Sequence, residues 1–433
     1  MCMTLDESAP VRVALLGAGV VGSQVARLLT ENSDDLRARV GRAIELVGVG
    51  VRRTGIERPG IDPALFTSDL ESLVSRPDVD IVIELIGGIE PARTLLLAAL
   101  SAGKSVVTAN KALLADHSHE LFQAAAAARV DLYFEAAVAG AIPIIRPLRE
   151  SLVGDEITTI MGIVNGTTNY ILDQMTAEGT DFAGALAEAQ RLGFAEADPT
   201  ADVEGDDAAA KAALLASLAF HTRVRGSDVP RAGISDITAD DVAAAKALNC
   251  TIKLVAVCSL SEDDRISLGV YPALVPNSHP LASIRGAYNA VFIESRSAGR
   301  LMFMGPGAGG TPTASAVLGD LVTAARNRLR GVPGPGESTY AARSLMPAGE
   351  VTSRFYVSLE VVDVPGVLAK VARAFADHQV SLQIVRQEGT GESARLGIMT
   401  HVAATAAITA TVADLEAMTD VRSRVKILRV AGM

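Results

Sequence analysis

The sequence has no tryptophan, and all its aromatic residues together make up 4% of the chain. With few large rings, the core must come from aliphatic side chains. Alanine supplies much of the 49% apolar fraction, so closely packed helices with small side chains are expected. Cysteine is scarce too. Cys2, Cys250 and Cys258 are odd in number and lack zinc-type pairing, so they read as reduced structural thiols of a cytosolic protein. No stretch reaches the ~18 apolar residues of a membrane span. The start, with Asp6 and Glu7 ahead of any apolar run, lacks the basic opening and long apolar segment of a signal peptide. Basic charge is in deficit: 39 Lys and Arg stand against 50 Asp and Glu, a net of -11. That disfavours nucleic acid or an anionic membrane as partner, although a local site can still oppose the global sign. The six histidines include no HExxH, and His117 and His119, two apart, would point to different helix faces rather than share a metal. A cytoplasmic protein of two or three domains is expected from the 433 residues.

What is present is an alternation. VRVALLG (11–17) is followed by AGVVGSQVARLL at helical spacing, and IELVGVGV and DIVIELIG are further apolar, β-rich runs. From residue 80 to 137, short apolar strands alternate with helical stretches, which implies βαβ units and a doubly wound, Rossmann-like parallel sheet. After 140 the order changes to helices in a block and then strands in a block (CTIKLVAVCSL, RISLGVYPALV, NAVFIESRSAGRLMFMG), an α+β arrangement. The expected division is a dinucleotide-binding domain over 1–140, completed by a helix at about 305–330, and a catalytic and oligomerisation domain over 141–304. A Gly- and Pro-rich stretch at 331–350 reads as a linker, and 351–433 as βαββαβ in ferredoxin-like order.

Gly17-Ala18-Gly19-Val20-Val21-Gly22 fits GxGxxG. Alone the pattern is weak, but here it ends a strand and opens a helix. The first glycine permits the turn, the second lets backbone approach a pyrophosphate, and the third lets the helix pack on the sheet. The plainer alternative is a tight strand–helix turn. At the end of the second strand, where an NAD site usually carries Asp or Glu, stand Arg52 and Arg53. Guanidinium suits a 2′-phosphate, so NADP(H) is favoured, with NAD(H) and a merely solvated arginine pair as alternatives.

FAEADPTADVEGDDAAAKAALLASLAF (194–220) reads from Asp207 onward as a helix apolar nearly all round, hence buried. Yet it carries Asp207 and Lys211 four apart on one face, with Glu196, Asp198, Asp202 and Glu204 just upstream. One reading is a helix-start ion pair. The other is a site for an amino-acid substrate, whose ammonium is held by carboxylates while a lysine handles a proton at the reacting oxygen. Lys111 directly follows SVVTAN and should face the crevice at the strand ends; a surface lysine is the alternative. NGTTNY (165–170) and GPGAGGTPTASAV (305–317) are loops able to present N–H groups to an anion, or simple turns.

LGAGVVG, TANKALLA, EAAVAGAIPII, GIVNGTTNYIL, FAEADPTADVEGDDAAAK and GPGAGGTPTASAVLGDL, in this order, resemble homoserine dehydrogenase over nearly the whole chain. No aspartate-kinase-like region precedes them, so the resemblance is to the monofunctional form. It implies hydride exchange between nicotinamide and the aldehyde carbon of aspartate semialdehyde, in the biosynthesis of threonine, methionine and isoleucine. By resemblance, Lys211 is the proton donor and Lys111 a lysine sharing the acid–base role. Glu196, Asp202 and Asp207 are substrate-holding carboxylates, and Gly166 and Thr167 the substrate loop. The expected cofactor set is Gly17, Gly19, Val20, Val21, Gly22, Arg52, Arg53, Ile86, Gly87, Lys111 and Gly307. A monovalent cation, usually sodium, is expected on Glu135 and the carbonyls of Val138, Gly140 and Ile142, although Ala139 stands where glycine is common. The C-terminal part resembles an ACT domain. Asp363-Val364-Pro365-Gly366-Val367-Leu368 matches its effector turn, and threonine is the expected effector; a ligand-free oligomerisation module is the alternative. A homodimer or homotetramer is expected. Two other readings of the whole are an oxidoreductase for another small carbonyl compound and a non-enzymatic amino-acid sensor. The Glu196–Asp207–Lys211 set argues against both.

Overall fold

Eleven elements make the first unit: β1 (Val11–Leu16), α1 (Val20–Glu31), α2 (Ser33–Val40), β2 (Ile44–Gly50), β3 (Phe66–Thr67), α3 (Leu70–Ser75), β4 (Ile81–Glu84), α4 (Ala92–Ser101), β5 (Ser105–Thr108), α5 (Lys111–Ala128) and β6 (Leu132–Tyr133). The computed structural model describes residues 9–389 and 392–432; Cys2, Asp6 and Glu7 lie outside them. The six strands form one parallel sheet in the order β3-β2-β1-β4-β5-β6. Alternate residues of β1 explain why its run from Val13 to Leu16 is apolar throughout. Val13 and Leu15 face α1 and α2, while Ala14 and Leu16 face α3, α4 and α5. Both faces are covered, as a parallel sheet requires.

The second unit runs β7 (Ile157–Ile163), α6 (Gly166–Glu178), α7 (Phe182–Arg191), α8 (Thr200–Val203), α9 (Asp206–Ala219), α10 (Ala239–Ala247), β8 (Cys250–Leu260), β9 (Ile266–Pro276), β10 (Tyr288–Ser295) and β11 (Gly299–Pro306). Its strands pair antiparallel in the order β11-β10-β7-β8-β9. α9 is buried nearly all round because Ala208, Ala209, Ala212, Ala213 and Ala216 let it lie close to the sheet. The next helix, α11 (Gly310–Arg330), returns to the first unit and buries Ala314, Val317, Leu321 and Ala324 in its core beside α1. It begins after the expected 305, because Gly305 and Pro306 still belong to β11.

The third unit is β12 (Thr352–Val362), α12 (Val367–Asp377), β13 (Leu382–Glu388), β14 (Ser393–Thr400), β15 (Ala403–Ala404), α13 (Thr405–Glu416) and β16 (Lys426–Val430), with sheet order β16-β12-β14-β13. Phe355, Val357, Leu359 and Val361 face Val371 and Phe375 of α12 and Ile408 and Leu415 of α13.

Two features differ from a chain of separable units. β16 pairs parallel with β9, Arg429 opposite Ala273 and Val430 opposite Leu274, so the second and third sheets are continuous. The expected linker is irregular, but it is strapped down. Gly334 N donates to Asp131 at 2.6 Å, and Arg149 donates to the carbonyls of Pro335 and Gly336. Tyr340 stacks on His221 at 4.4 Å, and Met346 N donates to Ile266 O at 2.8 Å. Gly and Pro removed regular structure there; side chains from both preceding units then supplied partners for its backbone.

Candidate active site

α6 starts where β7 ends, and Asn165 caps it, its Oδ1 accepting from Thr168 N at 2.9 Å. The same side chain's Nδ2 donates to Asp202 Oδ1 at 2.7 Å and to Asp207 Oδ2 at 2.9 Å. Asp207 is buried in the first turn of α9. Lys211, one turn on, donates to Asp207 Oδ2 at 2.6 Å and to Val164 O at 2.7 Å. Lys111, from the other domain and the first residue of α5, pairs with Asp207 Oδ1. One buried carboxylate thus holds two ammonium groups.

Burial alone would raise the pKa of Asp207, but Lys211 and Lys111 outweigh it and hold the carboxyl well below its ordinary range. The pKa of Lys211 is lowered too, but for a different reason. Burial destabilises its charge, and Lys111 adds repulsion, so its pKa is lowered although Asp207 opposes the shift. A lysine made more acidic, beside a carboxylate that orients it, suits proton transfer.

Asp202 joins this cluster through Asn165, and Thr167 Oγ1 ties α6 to the Phe194 carbonyl at 2.5 Å. A Cβ on Gly166 would lie 2.7 Å from Ala287 O, so only glycine fits that first position of α6. Glu196 is not brought into the hydrogen-bonded set. It is exposed, and among the described residues only its backbone carbonyl is engaged, by Gln190. His117 and His119 part company as expected, toward Glu120 and Glu337.

A cavity of about 480 Å³ opens at the carboxyl ends of β1, β2 and β4, lined by Gly17, Gly19, Arg52, Arg53, Ile86 and Gly87 among others. Gly17 has φ +98°, and a Cβ on Gly22 would lie 2.0 Å from Gly17 O, so the turn and the helix approach both need glycine. Val20, Val21, Gly22 and Lys111 do not line this cavity. Nor does Gly307, which packs at the domain junction, where a Cβ would lie 2.2 Å from the Asn289 amide. Two contributors were missed in the sequence. Arg58 adds a third guanidinium to the lining, held by Ala18 O at 3.3 Å and lying over the Phe66 ring. Glu84, fully buried at the end of β4, accepts from Ile86 N at 2.8 Å, Gly87 N at 2.9 Å and Thr108 Oγ1 at 2.5 Å, which shapes the loop over the cavity. A lone acid inside DIVIELIG was the signal for Glu84.

The expected cation ligands cluster behind Gly307, whose carbonyl would be 2.4 Å from a Cβ on Gly140. Glu135 is buried and accepts from Ile145 N at 2.6 Å and Arg146 N at 2.9 Å. Among the described residues, the buried carbonyls of Val138 and Gly140 accept no hydrogen bond, whereas Ile142 O accepts from Ile144 N at 2.9 Å. Burial and the neighbouring Glu135 push the Asp320 carboxyl up to about 7. Two unpaired carbonyls beside two desolvated acids fit a hard, oxygen-seeking cation. Ala139 has φ +58°, which explains why a glycine suits that position. In the third unit, Asp363, Pro365, Gly366, Val367 and Leu368 line a cavity of about 370 Å³ at the start of α12, where Gln387 donates to Asp363 at 3.0 Å.

Among the described residues no helix is long and apolar enough to cross a membrane. Residues 17–135 match the NAD-binding domain of homoserine dehydrogenase, 143–322 the homoserine dehydrogenase family and 355–419 the ACT domain. The homoserine dehydrogenase of Mycobacterium tuberculosis is 56% identical over 433 residues, 98% of each chain. A crystal structure of a homoserine dehydrogenase from Thiobacillus denitrificans superposes with a TM-score of 0.92 at 39% identity, covering 98% of this chain and 99% of that one. A hyperthermophilic archaeal homoserine dehydrogenase in complex with NADPH gives 0.63 at 28% identity, over 76% of this chain and all (100%) of that one. Matched in sequence and fold along almost its full length, the chain belongs to the homoserine dehydrogenases, oxidoreductases that act on a CH–OH group with a nicotinamide cofactor.

Proposed function

We propose that this enzyme interconverts L-aspartate 4-semialdehyde and L-homoserine with a preference for NADP(H), and that Lys211 is the principal proton carrier. The observation that carries the reading is Asp207, a buried carboxylate joined to lysines from two domains. The nicotinamide, when bound, supplies hydride to the aldehyde carbon or takes it back in the reverse direction. Lys211 Nζ gives the carbonyl oxygen its proton as that C–H bond forms. Asp207 orients Lys211, and Lys111 secures the other oxygen of Asp207, so each lysine sits in one rotamer before substrate arrives. Glu196, whose carboxylate has no partner among the described residues, and Asp202 offer oxygens to the substrate ammonium, with Asp207 between the lysines beside them. The first N–H groups of α6, at Gly166 and Thr167, lack intrahelical partners and meet its carboxylate.

NADP preference rests on Arg52, Arg53 and Arg58 in the cavity wall, and on the NADPH held by the archaeal relative. Sodium would bind Glu135 and the carbonyls of Val138, Gly140 and Ile142, where it would fix the loop that abuts Gly307. Threonine at the Asp363–Leu368 turn is the effector reading, with the α12 N-terminus facing its carboxylate. Two copies would pair along sheet edges such as β13, where Ile384 and Val385 are exposed. The test follows nicotinamide absorbance with aspartate semialdehyde and NADPH or NADH, with and without L-threonine. Faster NADPH oxidation, slowed by threonine, is expected. Equal rates with both cofactors would overturn the preference, and indifference to threonine the effector reading.

A further inference from the structure

Where the third unit's sheet joins the second lies a cavity of about 430 Å³. Its wall includes Arg231, Arg429, Ser259, Tyr271 and Thr352, and the strap closes one side with Met346 and Ala348. Among the described residues that line it, none is acidic, although the chain as a whole carries 50 acids against 39 bases. Arg231 is ion-paired with Asp206, so the positive charge that no carboxylate offsets among the described residues of this wall is that of Arg429.

Arg429 is held between the rings of Tyr271 and Phe355, at 4.9 and 5.1 Å, and its Nη2 donates to Thr405 Oγ1 at 2.9 Å. Its Nη1 is buried with no hydrogen-bond partner among the described residues. Stacking gives a reason for an arginine here, but an unused, desolvated N–H is costly until an acceptor meets it.

The same wall reaches the catalytic helix in few steps. Ala232 N donates to Val270 O at 2.8 Å, and Val270 N to Pro230 O at 2.9 Å, so the wall segment makes an isolated parallel bridge to β9. Ile234 N donates to Val203 O at 2.8 Å, beside Asp202. Arg231 pairs with Asp206 at 2.5 Å, and Asp206 opens α9 next to Asp207. A Cβ on Gly205, which caps α9 with φ +86°, would already be 3.4 Å from Val270 Cγ1. Val270 of the wall therefore lies next to the cap of α9.

We propose that this junction cavity is a regulatory site for a small metabolite bearing a carboxylate, which acts on the Asp207–Lys211 helix through Arg231 and Asp206. The ligand carboxylate engages Arg429 and Arg231, and its remaining polar groups meet Ser259, Tyr271 and Thr352. By drawing on Arg231 it loosens the hold of that arginine on Asp206 and shifts the start of α9. The site is separate from the Asp363–Leu368 turn and does not depend on that turn being occupied.

Calorimetric titration of the full-length enzyme with L-threonine and, separately, with malonate tests this. The first probe stands for an amino acid, the second for a plain carboxylate. At least one is expected to bind and to change kcat/KM on saturation. Its affinity should fall about tenfold in Arg429→Met, as for one charge-assisted hydrogen bond. Ala348→Phe, which fills the cavity from the exposed strap, should weaken binding similarly and keep ligand-free kcat within about twofold, so the test survives a failure of Arg429→Met to fold. Gly366→Val in the turn should leave this binding intact. In Asp206→Asn the probe should still bind but no longer change kcat/KM. The proposal is overturned if neither probe binds, if binding survives both junction substitutions, if only the turn substitution removes it, or if saturation leaves kcat/KM unchanged, which would mark an adventitious anion only.

Discussion

Asp207 and Lys211 stand four apart in one helix, a spacing visible in the sequence; the partners that give the pair its chemistry come from elsewhere. Removing the ammonium in Lys211→Met should lower kcat by about 10²–10⁴-fold, the usual range for a positioned acid, while NADPH binding measured by fluorescence stays unchanged. The lowered pKa of Lys211 has a direction-dependent consequence. Semialdehyde reduction needs the protonated lysine, so its kcat should fall as pH rises through a value below the ordinary lysine range. Homoserine oxidation needs the neutral form and should rise through the same region. Profiles in both directions check this, and parallel profiles would remove Lys211 from the proton step. At the cofactor, Arg52→Ala with Arg53→Ala should raise the KM for NADPH about tenfold or more relative to NADH, since bonds to a charged phosphate contribute about 1.5–3 kcal/mol each. Asn165 was not legible as a site residue. In the sequence it is only the first residue of the NGTTNY loop, and only the folded chain brings Asp202 and Asp207 to the two hydrogens of its amide.

Individual elements depend on a few close approaches. α1 reaches the cofactor cavity because Gly22 lies against Gly17, so Gly22→Ala forces the helix away and should cost about 1–3 kcal/mol, read in urea unfolding, together with weaker cofactor binding. β8 and α6 are tied by Lys253, fully buried, which donates to Asn169 Oδ1 at 2.9 Å and Ile284 O at 2.5 Å. Burial lowers its pKa from 10.5 to about 8. Between these values the unfolded chain holds a proton that the folded chain has released, so stability rises with pH across that window. The burial penalty is fully present below about pH 8 and is relieved by about 3 kcal/mol on reaching 10.5. Lys253→Met should remove that rise in urea-denaturation midpoints and, by leaving the buried Asn169 Oδ1 without a donor, cost about 1–3 kcal/mol near neutral pH. An unchanged pH slope in the variant would contradict the assignment.

At the scale of the whole molecule, the β9–β16 pairing makes the ACT unit an extension of the catalytic sheet. Lys426 pairs with Asp241 and Arg395 with Asp240, so α10 is held from the same side. Short apolar runs, glycine spacing and helix periodicity are local, and they sufficed for the parallel sheet, the dinucleotide turn, the α+β block and the ferredoxin-like order, because each depends on neighbours within a few residues. The sequence by itself therefore determined which elements form and which residues are candidates for the chemistry. The tertiary structure alone decided that Lys111 meets Asp207 across the domain boundary, that Glu196 stays apart, that Glu84 shapes the cofactor loop, and that the strap and the third sheet lock onto the catalytic unit. Those contacts join residues as many as 96 positions apart in the lysine–aspartate case. Such pairs depend on how whole elements pack, and no local pattern in a single sequence records that.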